Sequence, residues 1–256
     1  MLKATRDQVT SALESVGLKK GDGVMVHSAL QFLGIPEGGM GIYYDALCTV
    51  LGIGAGTGTL VVPTFNFGFA RGLPFDQSAT PAEEMGVFPE YVRQQAGVLR
   101  SPHPMQSIAA VGQYAADLTG RDTSSAFDPG SAFERMLELD FQLLLLGADV
   151  RFTSMIHYAE QRMQVPYRYW KEFTGEVRLT GQPLQVRTYR MFARDLSIDP
   201  EVSSAPVQKV LESRGLWSSV PLNYGKVARC RFRDFVAAAE ELLKNDPWAL
   251  VQNRKK

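Results

Sequence analysis

SAFERMLELDFQLLLLGADVRFTSMIHYAEQRM, residues 131–163, holds the pattern that decides the fold class. Its centre, FQLLLLGA (141–148), is apolar except for Gln142 and has the length typical of a buried strand. SAFERMLELD (131–140) before it predicts a capped helix, and SMIHYAEQRM (154–163) after it predicts a second helix. A buried strand between two helices indicates an α/β layered protein.

The same alternation extends outward from this stretch. The spacing of apolar residues predicts helices over 5–16, 43–51, 88–95, 206–214 and 232–244, and buried strands over 24–26, 58–65 and 106–112. Residues 174–194 instead alternate polar and apolar side chains around Gly181-Gln182, which predicts an antiparallel hairpin. We therefore predict an α/β fold with a mixed central sheet flanked by helices. With neither a repeat nor a linker visible, one domain is expected over 1–256, with a frayed tail at 252–256.

Composition excludes several classes of protein. The chain carries 27 basic and 27 acidic residues, so it lacks the basic excess of most nucleic-acid binders. Cys48 and Cys230 lie far apart, which argues against a disulfide scaffold and a cysteine zinc site. The amino-terminal segment is polar, and no apolar run approaches the ~20 residues that span a bilayer. We therefore expect a cytoplasmic protein without membrane or nucleic-acid partners.

Common catalytic and nucleotide-binding motifs are absent from the sequence. The glycines at 52, 54, 56 and 58 fit neither the phosphate loop nor the dinucleotide fingerprint, so a glycine-rich turn between helix and strand is the simpler interpretation. Neither the G-x-S-x-G elbow of hydrolases nor the H-E-x-x-H zinc motif occurs. His27, His103 and His157 are widely separated and no carboxylate cluster surrounds them, so no metal is expected.

His157 and Glu160 are the first candidate pair for chemistry. They lie three positions apart in the predicted helix 154–163 and therefore share one face of it. A carboxylate beside an imidazole can fix the tautomer that a general base needs. The alternative is an inert pair, because such spacing also occurs on ordinary helix surfaces.

Seven segments, taken in order, resemble one family. They are VHSALQFLG (26–34), GTLVVPTF (58–65), PFDQSATPAEEMGVFPEYVR (74–93), RSPHPMQSIAAVG (100–112), SAFERM (131–136), LLLLGA (143–148) and SMIHYAEQRMQVPYR (154–168). Their order and spacing resemble the aminoglycoside 3-N-acetyltransferases over residues 5 to 168, and all three histidines fall inside the shared motifs. The resemblance implies a three-layer α/β fold and direct acetyl transfer from acetyl-CoA, as co-substrate, to an amine.

The resemblance also suggests which residues act on the acceptor. It supports His157 as the base and Glu160 as the carboxylate that orients it. Asp76 matches an acidic position near the acceptor and would hold the substrate ammonium; alternatively it caps the turn before Thr80-Pro81.

Further matches suggest a binding site for acetyl-CoA. A strand that ends in Ser28 and opens into a helix would offer free N–H groups to the pyrophosphate. Arg100 and His103 would contact the CoA phosphates or would tie loops together. The residues expected at the cofactor are His27, Ser28, Ala29, Leu30, Thr64, Phe65, Arg100, His103 and Ser107.

The segment 167–194 is unusually basic for an enzyme that binds a polycation. Its six basic side chains, Arg168, Lys171, Arg178, Arg187, Arg190 and Arg194, outnumber the acidic Glu172 and Glu176. If this hairpin covers the acceptor, Tyr167, Arg168, Tyr169, Arg187 and Arg190 would bind a neutral or anionic amine, such as an amino sugar bearing phosphate or a nucleotide. Alternatively, the basic side chains point into solvent.

A third interpretation is a family member that binds CoA without catalysis. Retention of His157, Glu160, Asp76 and His103 together argues against it. The expected partner is a small-molecule amine, and a homodimer is compatible with the sequence.

Overall fold

Helices and strands alternate along most of the chain, as the hydrophobic pattern predicts. In the computed structural model, which describes residues 2–254, the α-helices are α1 Arg6–Ser15, α2 Gly41–Leu51, α3 Val87–Arg93, α4 Ala115–Thr119, α5 Ala132–Glu138, α6 Ile156–Met163, α7 Ala205–Ser213 and α8 Phe232–Asn245. The strands are β1 Lys3–Ala4, β2 Gly23–Ser28, β3 Ile35–Pro36, β4 Thr59–Pro63, β5 Phe75–Asp76, β6 Leu99–Arg100, β7 Ile108–Gly112, β8 Gln142–Leu146, β9 Arg168–Arg178, β10 Gln185–Arg194, β11 Ser218–Leu222 and β12 Gly225–Arg231. The end of the tail predicted to fray, residues 255–256, lies outside the described residues.

The central sheet is mixed, which confirms the prediction. Its seven strands follow the order β11-β12-β8-β2-β4-β7-β6. β2 runs parallel to both β8 and β4, while the outer strands pair antiparallel on either side. The parallel strands β8, β2 and β4 therefore end at the same edge, in the middle of the sheet.

Alternate strand residues point to opposite faces and build two separate cores. Val24 and Val26 pack into one core with side chains from α1, α2 and α3, such as Leu13 and Leu47. Met25 packs on the other face, among buried side chains of α4, α5, α6, α7 and α8. Helices thus cover both faces of the sheet, which confirms the three-layer α/β fold.

The predicted hairpin forms a second, smaller sheet. β9 and β10 pair antiparallel from Arg168↔Arg194 to Val177↔Gln185, and β5 joins β9 in parallel. The ladder begins at residue 168, earlier than the predicted 174. Gly181 lies in the connecting turn with φ +73°, a conformation that glycine adopts without strain.

A second hairpin, β11–β12, was not predicted from the sequence. β12 pairs with β8 and so extends the central sheet by two strands. β11 at the edge of the sheet contains Pro221, which interrupts a strand pattern and is tolerated chiefly on edge strands. The turn uses Asn223 at φ +53°, a region that Asn occupies more readily than most residues.

The glycines between 52 and 58 allow backbone conformations and close contacts at the turn between α2 and β4, as the interpretation of a glycine-rich turn predicts. Gly52 ends α2 in the left-handed conformation at φ +74°. A Cβ on Gly58 would lie 2.2 Å from the carbonyl oxygen of Leu51, so only glycine fits this approach of two chain segments. Among the described residues, no helix is both long and apolar enough to cross a bilayer.

Candidate active site

A cleft of about 460 Å³ opens at the carboxyl ends of the central parallel strands. In α/β sheets this edge is the usual place for a ligand site. β2 contributes His27 and Ser28, β4 contributes Pro63, and the loop after β8 contributes Ala148. The full lining is His27, Ser28, Ala29, Gln31, Pro63, Phe65, Phe67, Glu84, Met85, Gly86, Gln106, Ala148, Arg151, Phe152, Thr153, Ser154 and His157.

His157 reaches the cleft from the first turn of α6. Its Nδ1 lies 2.8 Å from Oε2 of Glu160, one helical turn further on, as the i,i+3 spacing predicts. The imidazole is 34% exposed, whereas the Glu160 side chain is fully buried. The pair therefore has an inner carboxylate and an outer imidazole that a ligand can touch.

Arg168, the first residue of β9, completes this arrangement from behind. Its guanidinium lies 2.9 Å from Oε2 of Glu160 and donates through Nη1 to the carbonyl oxygen of Phe192 on the partner strand. Burial raises the pKa of Glu160, but the positive charge of Arg168 and the hydrogen bond from His157 outweigh burial and lower it. Glu160 is therefore ionised at neutral pH.

The ionised Glu160 selects one tautomer of His157. An anionic oxygen can only accept, so the Nδ1–H of His157 donates to it and Nε2 carries the free lone pair. Arg168 also lies 3.1 Å from Nδ1, but a guanidinium cannot donate to a nitrogen that already bears a proton. The chemical consequence is an imidazole poised to accept a proton at Nε2.

Tyr167 lies against the buried side of the same carboxylate. Its hydroxyl and Oε1 of Glu160 are both buried, and neither has a hydrogen-bond partner within residues 2–254. Burial, with the charge of Glu160 as the second cause, raises the pKa of Tyr167. Tyr167 is fully buried and is not among the cleft-lining residues, so it does not reach the cleft as predicted.

The other two histidines are neutral at pH 7. Burial lowers the pKa of His27 to about 4, and the neighbouring His157 contributes to the shift. His27 Nε2 accepts a hydrogen bond from the backbone N–H of Ser154, at 3.4 Å. Burial also lowers the pKa of His103 to about 4. His103 accepts the backbone N–H of Gln106 at Nδ1 and packs against Tyr189.

The structure brings part of the predicted cofactor set to the cleft. His27, Ser28, Ala29 and Phe65 line it, whereas Leu30 packs into the core on the far side of the sheet. The segment after Ser28 is also not the predicted α-helix. It is a single 3₁₀ turn, Leu30–Phe32, and the N–H of Ala29 donates to the carbonyl oxygen of Leu146, so the predicted α-helix terminus does not form directly after Ser28.

Arg100, Ser107 and Thr64 form a buried network beside the cleft, not on its surface. Arg100 donates to Ser107 Oγ and to the carbonyl oxygens of Thr64 and Thr80. Burial lowers the pKa of Arg100 to about 10, which leaves it charged at neutral pH. Of its two predicted roles, the geometry matches the tying of loops. His103, also buried, is not among the cleft-lining residues.

Asp76, the last residue of β5, is also not among the cleft-lining residues and precedes a turn. Its Oδ1 accepts from the N–H and Oγ of Ser78 and from the N–H of Ala79. The hydrogen bonds from Ser78 are the main cause that lowers its pKa. The backbone N–H of Asp76 in turn donates to Thr80 Oγ1. This geometry matches the turn-capping alternative for Asp76.

The hairpin is not the unpaired basic surface that its composition suggested. Arg187 pairs with Asp122 at 2.5 Å and Arg190 with Asp128 at 3.1 Å. Arg168 pairs with Glu160, Arg178 with Asp76 at 3.8 Å, and Arg194 with Asp199 at 3.9 Å. Five of its six basic side chains therefore meet carboxylates, all of which lie outside residues 167–194. The net charge of the segment, counted in isolation, leaves out these carboxylates, and repulsion of a polycation by the hairpin stays a prediction.

The remaining predicted acceptor residue, Tyr169, is 47% exposed on β9 and does not line the cleft. Sequence reasoning assigned no role to Met85 and Gly86, although the quoted P-F-D segment contains them. It also missed the loop 151–154, which the topology places at the cleft because it follows a central parallel strand. Among residues 2–254, no three metal-ligating side chains are grouped.

Comparison with known proteins identifies the family. The aminoglycoside 3-N-acetyltransferase family model matches residues 25–244. Aminoglycoside N(3)-acetyltransferase III of Salmonella sp is 33% identical over 193 residues, which cover 70% of this chain and 67% of that protein. The chain belongs to the aminoglycoside 3-N-acetyltransferase family.

Two solved structures share the fold. A histidine-to-alanine variant of aminoglycoside acetyltransferase AAC(3)-IVa in complex with apramycin aligns with a TM-score of 0.79 at 27% identity, over 97% of this chain and 96% of that chain. The binary complex of AAC-IIIb with CoASH aligns with a TM-score of 0.81 at 21% identity, over the full length of both chains. The predicted family and fold are thus confirmed.

Proposed function

We propose that the protein is an acetyl-CoA-dependent N-acetyltransferase in which His157 is the general base. The observation that carries the proposal is the hydrogen bond from His157 Nδ1 to the buried, ionised Glu160, which leaves Nε2 free at the cleft. Membership of an acetyltransferase family supports the reaction class.

The residues of the cleft fit the thioester end of acetyl-CoA. Phe65, Phe67 and Met85 give the cleft apolar walls suited to a thin, flexible arm. Gly86 lines it with backbone at φ +80°, where a side chain is absent and a ligand can approach closely. When bound, acetyl-CoA supplies an acetyl group already activated as a thioester. CoASH in AAC-IIIb supports the same co-substrate for this chain.

The protein's own part in the reaction is proton transfer and charge compensation. His157 Nε2 takes the proton that the amine loses as its nitrogen bonds to the acetyl carbon. The C–S bond of the thioester breaks, and the departing CoA thiolate takes that proton from the imidazolium to leave as the thiol. Glu160, held in place by Arg168, then faces the imidazolium and stabilises it. General-base assistance of this kind is typically worth ~10²–10⁴ in rate. The apolar walls exclude water, which strengthens these charge interactions.

The two halves of the proposal can be tested separately. Binding predicts that acetyl-CoA raises the Tm, because a ligand at 100 times its Kd adds ~2.7 kcal/mol to the free energy of unfolding. Catalysis predicts release of the CoA thiol when acetyl-CoA is mixed with an amine. A raised Tm without thiol release for any amine would instead support a CoA-binding protein without catalysis.

A further inference from the structure

His27 is a cleft residue that the proposed proton transfer does not use. It is the fifth residue of β2 and lies on the same face of the sheet as Met25, the face that α6 covers. Ser154, just before α6, joins it to the base. The N–H of Ser154 donates to His27 Nε2 at 3.4 Å, and its carbonyl oxygen accepts the N–H of His157 at 3.1 Å. The two imidazoles thus line one cleft and are held by one residue.

The hydrogen bond from Ser154 decides where the proton of a neutral His27 lies. A neutral imidazole has one N–H and one lone pair. Because Nε2 accepts from Ser154, its lone pair is in use and the proton is on Nδ1. Burial lowers the pKa of His27 to about 4, so the neutral form is present at neutral pH. His27 is therefore a hydrogen-bond donor at Nδ1 and not a second base.

This Nδ1–H has no acceptor within residues 2–254. His27 is only 5% exposed, yet its Nδ1 is not among the polar atoms that are both unpartnered and fully buried. Since His27 lines the cleft, the exposed part of its ring, Nδ1 included, faces the cleft. A nearly buried donor without an acceptor costs free energy unless a ligand supplies the acceptor. The cleft therefore offers a fixed N–H to an oxygen atom of a bound ligand.

Acetyl transfer places a negative charge on one oxygen atom, the carbonyl oxygen of the thioester. As the amine nitrogen bonds to the thioester carbon, the π electrons of the C=O bond move to this oxygen. When the C=O bond forms again, the C–S bond breaks and the thiolate leaves with the proton from the His157 imidazolium. The oxyanion is only two bonds from the nitrogen whose proton goes to His157. A donor in the same cleft is therefore in the right region to stabilise it.

A neutral imidazole suits this position better than a cation does. A positive charge on His27 would disfavour protonation of His157 as it takes the proton from the amine. The neutral Nδ1–H carries only a partial charge, and it gains strength in a cleft with the apolar walls of Phe65, Phe67 and Met85. Neutral imidazoles polarise carbonyl groups in this way in other enzymes.

We propose that His27 is a second catalytic residue, whose Nδ1–H donates to the carbonyl oxygen of the acetyl thioester and stabilises the oxyanion. The inference rests on the proposed function and deepens it. Its basis is the bond from Ser154 to Nε2 together with the unpartnered Nδ1 at the cleft.

Two substitutions separate the two nitrogens of His27. In His27→Gln the amide reaches the position of Nε2, so an acceptor for Ser154 remains while the donor at Nδ1 is lost. In His27→Asn the NH₂ group takes the position of Nδ1, so the donor remains while the acceptor for Ser154 is lost. Each variant is thus the matched control of the other.

Three quantities are measured for the wild type and both variants. Thiol release at saturating acetyl-CoA gives kcat, with the most active of glucosamine, neamine and apramycin as the amine. Thermal unfolding gives the Tm. Titration with CoA, which lacks the acetyl carbonyl, gives the Kd for the rest of the co-substrate.

His27→Gln should lower kcat by about 10²–10³, the loss typical of one oxyanion donor, with the Kd for CoA unchanged. His27→Asn should keep a kcat at least about tenfold higher than that of His27→Gln, because its donor can still reach the oxyanion. Its Tm should nevertheless be lower, because the N–H of Ser154 has lost its acceptor. The more stable variant should therefore be the less active one, and a purely structural role of His27 would reverse this order.

A folded His27→Gln variant that keeps kcat within about threefold would overturn the proposal. So would a His27→Asn variant no more active than His27→Gln. A weaker Kd for CoA with unchanged kcat would overturn it as well, since His27 would then contact the pantetheine arm. Absence of thiol release in the wild type with every amine would instead contradict the proposed function, so the two failures are distinguishable.

A measurement on the wild type needs no substitution to fold. ¹⁵N NMR of the imidazole nitrogens at neutral pH should show His27 protonated at Nδ1 and unprotonated at Nε2. A His27 that carries its proton on Nε2 would overturn the proposal, because no donor would then face the cleft.

Discussion

Replacing Glu160 with glutamine removes the charge that holds His157 in its reactive tautomer. Glutamine keeps the shape of the side chain, but its NH₂ group can donate to Nδ1, which then moves the imidazole proton to Nε2. It also no longer compensates an imidazolium. We expect kcat to fall by about 10²–10³, less than the ~10⁴ known for a wrong tautomer in a catalytic triad, because glutamine can also keep its oxygen toward Nδ1.

The same change affects stability through Arg168. The Arg168 side chain is only 11% exposed and lies 2.9 Å from the fully buried Glu160. Removing one partner of a buried pair costs ~3–5 kcal/mol. Glutamine still accepts one hydrogen bond, so a loss of about 2–3 kcal/mol in the free energy of unfolding is expected. The double variant Glu160→Gln/Arg168→Gln should regain part of this loss, because no unpaired charge remains, while its kcat stays low.

Two assays read these effects independently. Thiol release at saturating acetyl-CoA gives kcat, and equilibrium urea unfolding gives stability for the single and double variants. A Glu160→Gln enzyme that keeps kcat within about threefold would refute the tautomer argument, since even general-base assistance alone is worth ~10²–10⁴. A double variant less stable than the sum of the two single changes would refute the account of the buried ion pair.

Three other predictions concern stability and metal. His27 and His103 have pKa values lowered to about 4 from 6.5. Between these two pH values the folded state binds fewer protons than the unfolded state. The stability that the two neutral histidines contribute is therefore complete above pH 6.5 and is lost as the pH falls. At pH 5.5 each of these two histidines should lower the free energy of unfolding by ~1.3 kcal/mol relative to pH 7.5. Urea unfolding of His103→Gln at both pH values should therefore show a pH dependence smaller by the contribution of one histidine. Arg100→Lys should cost about 2–4 kcal/mol, because an ammonium cannot serve Ser107 Oγ and the carbonyls together, yet should leave the KM for acetyl-CoA unchanged. Activity should survive EDTA; a loss that zinc restores would contradict the metal-free chemistry.

The parts of the fold that follow from periodic patterns were predictable. The strand at 141–148 and the helices around it appear within a few residues of the expected positions because buried apolar runs dominate there. The β11–β12 hairpin could not be predicted in this way, because Pro221 interrupts the alternation of polar and apolar residues in β11 and because β11 lies at the edge of the sheet. Local sequence patterns predict a strand least well where that strand lies at the edge of a sheet and pairs with only one neighbour.

In the candidate site, too, contacts between residues close in sequence were predictable and contacts between distant residues were not. The contact of His157 with Glu160 follows from helical spacing, so the sequence predicts it directly. The pairs Arg187–Asp122 and Arg190–Asp128 join residues more than sixty positions apart, and nothing in either segment marks its partner. A charge count over one segment therefore leaves out the carboxylates that the tertiary fold brings to it.

The most direct test of the account is the turnover of His157→Ala with its best amine, measured together with the rise in Tm that acetyl-CoA produces. The imidazole reaches the cleft from α6 and is held by Glu160, so its loss should lower kcat by ~10²–10⁴. The Tm shift with acetyl-CoA should match that of the wild type, because His157 acts on the amine proton. Near-wild-type turnover in the variant would contradict the assignment of the base.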